Sequence, residues 1–293
     1  MNKEIIVFYH GLCRDGFTAA WAAWKKFGDE ARYIPVIWSN LKEEKQLISV
    51  NGKEVYFLDY CPTRENLEPI IQEAKSVVII DHHVSREEVV KSLPGSVYDK
   101  NHCGAVLAWQ YFHPDKPVPQ LCLYVEDSDL WNLKIQNSDS VLNYIDFKYS
   151  RNFTDWNRLA ETMEKEQERN IFADQGKILV EYRRSVVDLI ITQQGQIVDF
   201  EGYEVIAVNA PRYFRSEIGN QSAILKPPFG IVWSYTPEEI SISLRGISDL
   251  DLTKLSGKYG GGGHVRAANF RLPLGSPLPW KVISPYDPNY HEK

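Results

Sequence analysis

Three apolar runs in the first third of the chain stop abruptly on side chains that can bind metal or move protons. Ile5–Tyr9 ends at His10, Val55–Leu58 at Asp59, and Val77–Ile80 at Asp81-His82-His83. Short, continuous apolar runs rich in β-branched residues read as strands buried on both faces, the kind found inside parallel sheets. In such sheets ligands bind beyond the carboxyl ends of the strands, so these residues are expected to gather at one edge. Carboxylates and neutral imidazoles converging there suit hard or borderline divalent cations such as Mn2+ or Mg2+. A cysteine-rich zinc site would need thiolates at tighter spacing. Two such cations about 4 Å apart can clamp the attacking and leaving oxygens of an in-line phosphoryl displacement. Asp59, central among the strands, is the obvious carboxylate to bridge them.

Further acids follow in Glu126-Asp127-Ser128-Asp129-Leu130-Trp131. They read either as a solvated helix end or as the source of a carboxylate that reaches the other strand ends. The second chemical signal lies far along the chain, in Gly260-Gly261-Gly262-Gly263-His264. Apolar Leu255 and Tyr259 precede it, and Val265, Ala267, Ala268 and Phe270 follow, which is unlike a flexible linker. A glycine run lets backbone amides approach an anion, and a helix following it would add its positive end. From Arg245 to Arg271 five basic residues stand against two acidic ones, so this stretch is basic within an acidic chain. A phosphate-bearing ligand fits that balance.

The elements that must position these residues can be read in outline. Gly11–Gly16 makes a tight turn into a helix over Phe17–Phe27, rich in Ala and Trp. Arg32–Ile37 reads as a strand and Lys42–Leu47 as a weak helix. Thr63 caps a helix over Arg64–Ala74, and Ala105–Phe112 reads as another after the Asn101-His102-Cys103-Gly104 turn. Phe153–Gln194 has helical spacing, as one broken helix or two in succession. Strands are then expected at Ile197–Phe200, Glu204–Val208, Ile231–Tyr235 and Ile240–Leu244. Pro277–Lys293, with four prolines, reads as a loose tail or strap.

Bulk properties narrow the class. The chain has 293 residues, 43% hydrophobic and 25% charged, as expected of two ordinary globular domains. No apolar run approaches the ~20 residues needed to span a bilayer. Met1–Glu4 leads straight into a strand, so no signal peptide is expected. Four cysteines without paired spacing point to a reducing cytoplasm. The net charge of −6 argues against binding extended duplex DNA, though a small anionic substrate could meet the local basic cluster.

Asp81-His82-His83 after a hydrophobic strand resembles the signature of the DHH phosphoesterase superfamily. Gly-Gly-Gly-Gly-His-Val-Arg-Ala-Ala-Asn-Phe, from Gly260 to Phe270, is similar to the glycine-rich motif of the substrate-binding domain in RecJ-type exonucleases and nanoRNases. The two matches span nearly the whole chain. The resemblance implies an α/β fold, with a parallel-sheet DHH catalytic domain over 1–150 and a helical linker over 151–195. A smaller α/β substrate-binding domain over 196–280 and a tail over 281–293 would complete it. It also implies a two-manganese site, with Mg2+ as the alternative. His10 and Asp15 would sit on different ions, Asp59 would bridge, and His82 and Asp129 would hold the second, with Asp127 in reserve for Asp129. Asp81 would orient His82, and His83 would face the substrate phosphate. Arg245, Gly261, Gly262, Gly263 and His264 would grip the substrate in a cleft between the domains.

The expected reaction is attack of hydroxide on phosphorus in short oligonucleotides or dinucleotides. Cyclic dinucleotides, nucleoside bisphosphates and other small phosphoesters are the alternatives. A non-catalytic nucleotide-binding relative is the rival from outside enzymes. A homodimer is compatible with this reading. One departure stands out: many relatives carry Asp-x-Asp in the first motif, and here the match is Cys13-Arg14-Asp15.

Overall fold

The computed structural model describes residues 4–11, 13–36 and 49–288. The helix expected over Lys42–Leu47 lies outside them. The chain divides into two compact units, Met1–Val180 and Glu181–Lys293.

In the first unit β1 (Ile5–His10) leads through α1 (Arg14–Phe27) to β2 (Ala31–Val36), and then come β3 (Glu54–Leu58), α2 (Arg64–Glu73) and β4 (Ser76–Asp81). The short α3 (Glu87–Lys91) and β5 (Val97–Tyr98) complete the sheet. It is followed by α4 (Gly104–Phe112), α5 (Gln120–Asp129), α6 (Ser138–Lys148), α7 (Phe153–Met163) and the long α8 (Glu166–Gln194). The strands run in the order β2-β1-β3-β4-β5, and every pairing is parallel. Chain order reverses between β1 and β3, which makes their carboxyl ends the switch point where α/β sheets place ligands.

Alternation along β1 explains why the sheet is covered on both faces. Val7 and Tyr9 belong to one core, with α1, α4 and α7, while Ile6 and Phe8 belong to the other, with Leu67 and Ile70 of α2. Ala19, Ala20, Ala22 and Ala23 are fully buried on α1, where small side chains let α4 pack closely. The helical stretch expected as a linker is two helices. The first, α7, inserts Trp156, Leu159 and Met163 into the first core, and the Trp156 indole donates to Thr18 Oγ1 at 3.2 Å. Truncating a tryptophan so buried costs about 3–5 kcal/mol, so α7 is part of the first unit's framework. The division between units falls within α8.

The second unit contains β6 (Gly195–Phe200), β7 (Tyr203–Asn209), α9 (Arg215–Leu225), β8 (Phe229–Tyr235), β9 (Glu239–Gly246) and the one-and-a-half-turn α10 (Leu252–Gly257). A hairpin of β10 (Gly262–His264) and β11 (Ala267–Pro273) follows, and β12 (Lys281–Pro285) is the last described element. The sheet order is β10-β11-β9-β8-β7-β6-β12, antiparallel except for β7 with β8. Two expectations are corrected here. Lys281–Pro285, expected in a loose tail, pairs with β6 as an edge strand. The glycine run is followed by a strand where a helix was expected, because Ala267–Pro273 has the alternation that β9 can pair in register. Among the described residues no helix is long and apolar enough to cross a membrane.

Candidate metal centre

Parallel strands deliver the first donors. His10 closes β1, Asp81 closes β4, and Asp59 follows β3 directly with its amide donating to Ile80 O at 2.9 Å. Asp59 has φ 52°, a left-handed conformation that Asp tolerates better than most side chains. It turns the carboxylate back over the sheet edge, where only 1% of the residue is exposed. Asp59 Oδ2 lies 3.2 Å from His10 Nδ1, and Asp59 Oδ1 lies 3.2 Å from His82 Nε2.

Helix termini deliver the next donors. Cys13 caps α1, its Sγ accepting from Gly16 N at 3.1 Å. The same sulfur lies 3.3 Å from His10 Nδ1 and donates to Asp59 Oδ2 at 3.4 Å. Asp15, in the first turn of α1, accepts from Gly104 N at 2.8 Å and Ala105 N at 2.7 Å, the first amides of α4. The positive end of α4 thus holds this buried carboxylate. Gly104 permits the approach: a Cβ there would lie 2.5 Å from Asp59 Cβ and 3.0 Å from Asp15 Oδ2.

Asp129, at the end of α5, brings Oδ2 to 3.6 Å from His82 Nε2. The neighbouring acids have other partners. Asp127 is buried and accepts from Lys134 N, Ile135 N and Ser138 Oγ, tying down the loop after α5. Glu126 accepts from His102 Nδ1 and Cys103 N, which fixes the turn into α4. The helical turn of α5 separates three acids that the sequence presents together, and only Asp129 joins the cluster.

Donor sets with atoms within 4.8 Å of one another include His10, Cys13 and Asp59 as a first set and Asp15, His82 and Asp129 as a second, and Asp59, Asp81, His82 and His83 also meet that distance. Asp59 gives one oxygen to His10 of the first set and the other to His82 of the second. Asp81 departs from expectation. Its Oδ1 accepts the backbone amides of His82 and His83 and pairs with His83 Nδ1 at 2.7 Å. Its ring partner is therefore His83, because the carboxylate folds forward over the turn and meets the ring two residues on. Its Oδ2 is buried with no hydrogen-bond partner among the described residues.

The electrostatics show what the cluster lacks. Burial and the charges of Asp59 and Asp129 push the Asp15 carboxyl well above the usual carboxylate range, against the pull of His82. Asp59 is held well below that range; burial opposes this, but the hydrogen bonds from His10 and His82 prevail. His82 rises well above an ordinary imidazole, because the Asp59 bond and the charges of Asp129, Asp59 and Asp15 outweigh its desolvation. Asp81 is lowered and His83 raised by their mutual pairing, in each case against burial. Burial, then the charges of Asp59 and Asp15, lift the Cys13 thiol well above its normal value. Three carboxylates facing one imidazole nitrogen need positive charge among them, and a proton on His82 supplies it. A divalent cation answers the same need with more charge, so the residues present fit one.

In the second unit Arg245 stands next to last in β9. Its stem crosses Gly219, where a Cβ would lie 2.7 Å from Arg245 Cγ, and its guanidinium reaches Leu244 O and Ser216 Oγ. Burial and the neighbouring Arg215 and Arg212 lower it to about 9, with Glu217 opposing. Gly261, Gly262, Gly263 and His264 form the glycine hairpin. A Cβ on Gly261 would meet Asn269 O at 2.1 Å, and Gly263 has φ 138° with Ala267 O at 2.4 Å from such a Cβ. Close strand approach is what these two glycines allow.

No family model matches the chain. It is 28% identical over 290 residues to the uncharacterized protein R106 of Acanthamoeba polyphaga mimivirus, covering 91% of this chain and 68% of that one. Among solved structures it resembles RecJ from Thermus thermophilus in complex with Mn2+. The TM-score there is 0.53 at 13% identity, over 92% of this chain and 50% of that one. It also resembles an exopolyphosphatase-related protein from Bacteroides fragilis, with a TM-score of 0.55 at 12% identity, over 94% and 88%. The chain shares the α/β fold of these two structures.

Proposed function

We propose that the protein is a metal-dependent phosphodiesterase acting on short oligonucleotides or dinucleotides. The observation that carries this reading is Asp59, whose two oxygens reach one histidine of each donor set. That is the placement a bridging carboxylate requires in a two-ion phosphoryl site. RecJ, which shares the fold, was solved with Mn2+.

His10 and Asp59 would hold one cation, and Asp15, Asp59, His82 and Asp129 the other. Mn2+ or Mg2+ bound there would lower the pKa of water and neutralise charge on the phosphoryl group. Asp81 holds the His83 ring, which we assign to the substrate phosphate. Arg245, Gly261, Gly262, Gly263 and His264 are assigned to substrate recognition, where a guanidinium and backbone amides suit phosphate oxygens. Four free cysteines agree with a cytoplasmic setting.

Asp59→Asn and His82→Ala are expected to abolish Mn2+-dependent release of mononucleotides from a dinucleotide while the folded state persists by circular dichroism. Unchanged turnover in both variants removes the assignment. A panel of dinucleotides, cyclic dinucleotides and nucleoside bisphosphates ranks the substrate classes, and activity on bisphosphates alone overturns the preference for nucleic acid fragments.

A further inference from the structure

The first donor set is not built like the second. Asp15, His82 and Asp129 offer only oxygen and nitrogen, whereas His10, Cys13 and Asp59 include a sulfur. Cys13 occupies the cap of α1, a position where Ser, Thr, Asp and Asn serve far better, since sulfur is a weak acceptor. Capping alone therefore does not account for a cysteine here. Its surroundings do: the sulfur sits 3.3 Å from His10 Nδ1 and 3.4 Å from Asp59 Oδ2, and those two atoms are 3.2 Å apart. Bond lengths of 2.0–2.3 Å in a tetrahedral site put its ligand atoms roughly 3.3–3.7 Å apart. Both edges that include the sulfur fall in that range and the third, at 3.2 Å, lies just below it, so the triangle is close to one face of such a tetrahedron.

We propose that Cys13, as a thiolate, is a ligand of the cation held by His10 and Asp59, and that this position selects Zn2+ or Co2+ over Mn2+. The proposal rests on the reading of the cluster as a metal centre. Thiolate is a soft donor and shifts preference from Mn2+ and Mg2+ toward Zn2+ and its neighbours. The all-oxygen-and-nitrogen set keeps its tolerance for Mn2+, so the two positions differ in metal preference. Binding exchanges the S–H bond for a metal–sulfur bond and releases that proton to solvent.

Co2+ titration of the full-length, chelator-stripped protein tests this without substrate. The wild type is expected to develop a near-ultraviolet thiolate-to-Co2+ charge-transfer band. Cys13→Ser and Cys13→Asp lose the band, with Co2+ binding at the second position intact. Cys13→Asp tightens Mn2+ binding at the first position and weakens Zn2+ binding there, each by about tenfold or more. Co2+ binding by the wild type with no such band overturns the proposal. So does a band that persists in Cys13→Ser, because Cys61, Cys103 or Cys122 would then be its source. Either result leaves the phosphodiesterase reading standing if dinucleotide hydrolysis persists. A protein that shows the band but hydrolyses no phosphodiester supports the ligand and removes the activity.

Discussion

Replacing Gly104 with alanine isolates the placement of Asp59 and Asp15 from their chemistry. The new methyl carbon would start 2.5 Å from Asp59 Cβ and 3.0 Å from Asp15 Oδ2. Neither neighbour is a flexible chain end: Asp59 is held in a left-handed backbone conformation, and Asp15 is anchored by two amides of α4. Relief has to come from moving the start of α4 or the carboxylates themselves. Overpacking of this kind costs about 1–3 kcal/mol. Alanine recovers roughly 0.5–1 kcal/mol through its higher helix propensity. The net loss of about 0–2.5 kcal/mol corresponds to a fall in Tm of up to about 10 °C for a unit of this size. Metal affinity should suffer more, by about 10–100-fold, since ligand geometry at such sites depends on its supports. Calorimetric titration with Mn2+ beside thermal melts separates the two effects. Gly257→Ala is the control, because nothing lies within 4 Å of a Cβ at that position. Wild-type Mn2+ affinity in Gly104→Ala would refute the claim that Asp59 and Asp15 hold the ions.

Two further outcomes follow from the same cluster. The proton on His82 competes with metal, so Mn2+ affinity should drop about tenfold per pH unit below the raised His82 pKa, measured by titration across pH. Stability without metal runs the other way: the His82 contribution is fully present below the ordinary value of 6.5 and is lost as pH rises through the folded value. The Asp59 contribution, from a depressed pKa, is present above 3.8 and lost as pH falls through its folded value. Melts of the metal-free protein should therefore weaken toward alkaline pH, and a stability that rises there instead contradicts the charged-His82 account. Asp127→Ala, which strips three donors from one carboxylate, should cost about 2–4 kcal/mol in urea unfolding. The loop it ties down carries Trp131, Leu133 and Asn137 at positive φ, and a loss under 1 kcal/mol would deny the carboxylate that structural role.

Much of the first unit was legible because parallel strands leave an unambiguous trace. Apolar runs ending on His10, Asp59 and Asp81 imply a shared edge once the strands are taken as parallel, and the register of β1, β3 and β4 bears out that alignment. The resemblance puts Asp129 ahead of Asp127. The physical difference between them, one facing His82 and the other bonded to the loop after α5, lies in the helix phase, which the run of acids does not reveal. The partner of Asp81 was missed for a local reason, since a forward-folding carboxylate is set by turn dihedrals rather than residue type. Gly104 was visible only as part of a polar turn, although a glycine opening a helix beside a site is a usable signal for close approach. What was missed at the glycine run is the element that follows it, because a glycine run suits the start of a helix and two strands in close contact equally well. The pairing of β11 with β9, distant in sequence, makes that element a strand.

The left-handed turn at Asp59 also limits which residues position 59 can carry. Glycine and asparagine accept that backbone conformation most readily, and both lack the negative charge. Most other side chains, glutamate included, would meet the backbone at a disadvantage before their chemistry mattered. Substitutions at position 59 thus divide into those that fold but hold no cation and those that strain the fold. A scan of all variants scored for protein abundance would rank asparagine and glycine as tolerated there, while one scored for turnover would retain aspartate alone. Descendants of this chain with asparagine or glycine at position 59 would accordingly persist as well-folded proteins.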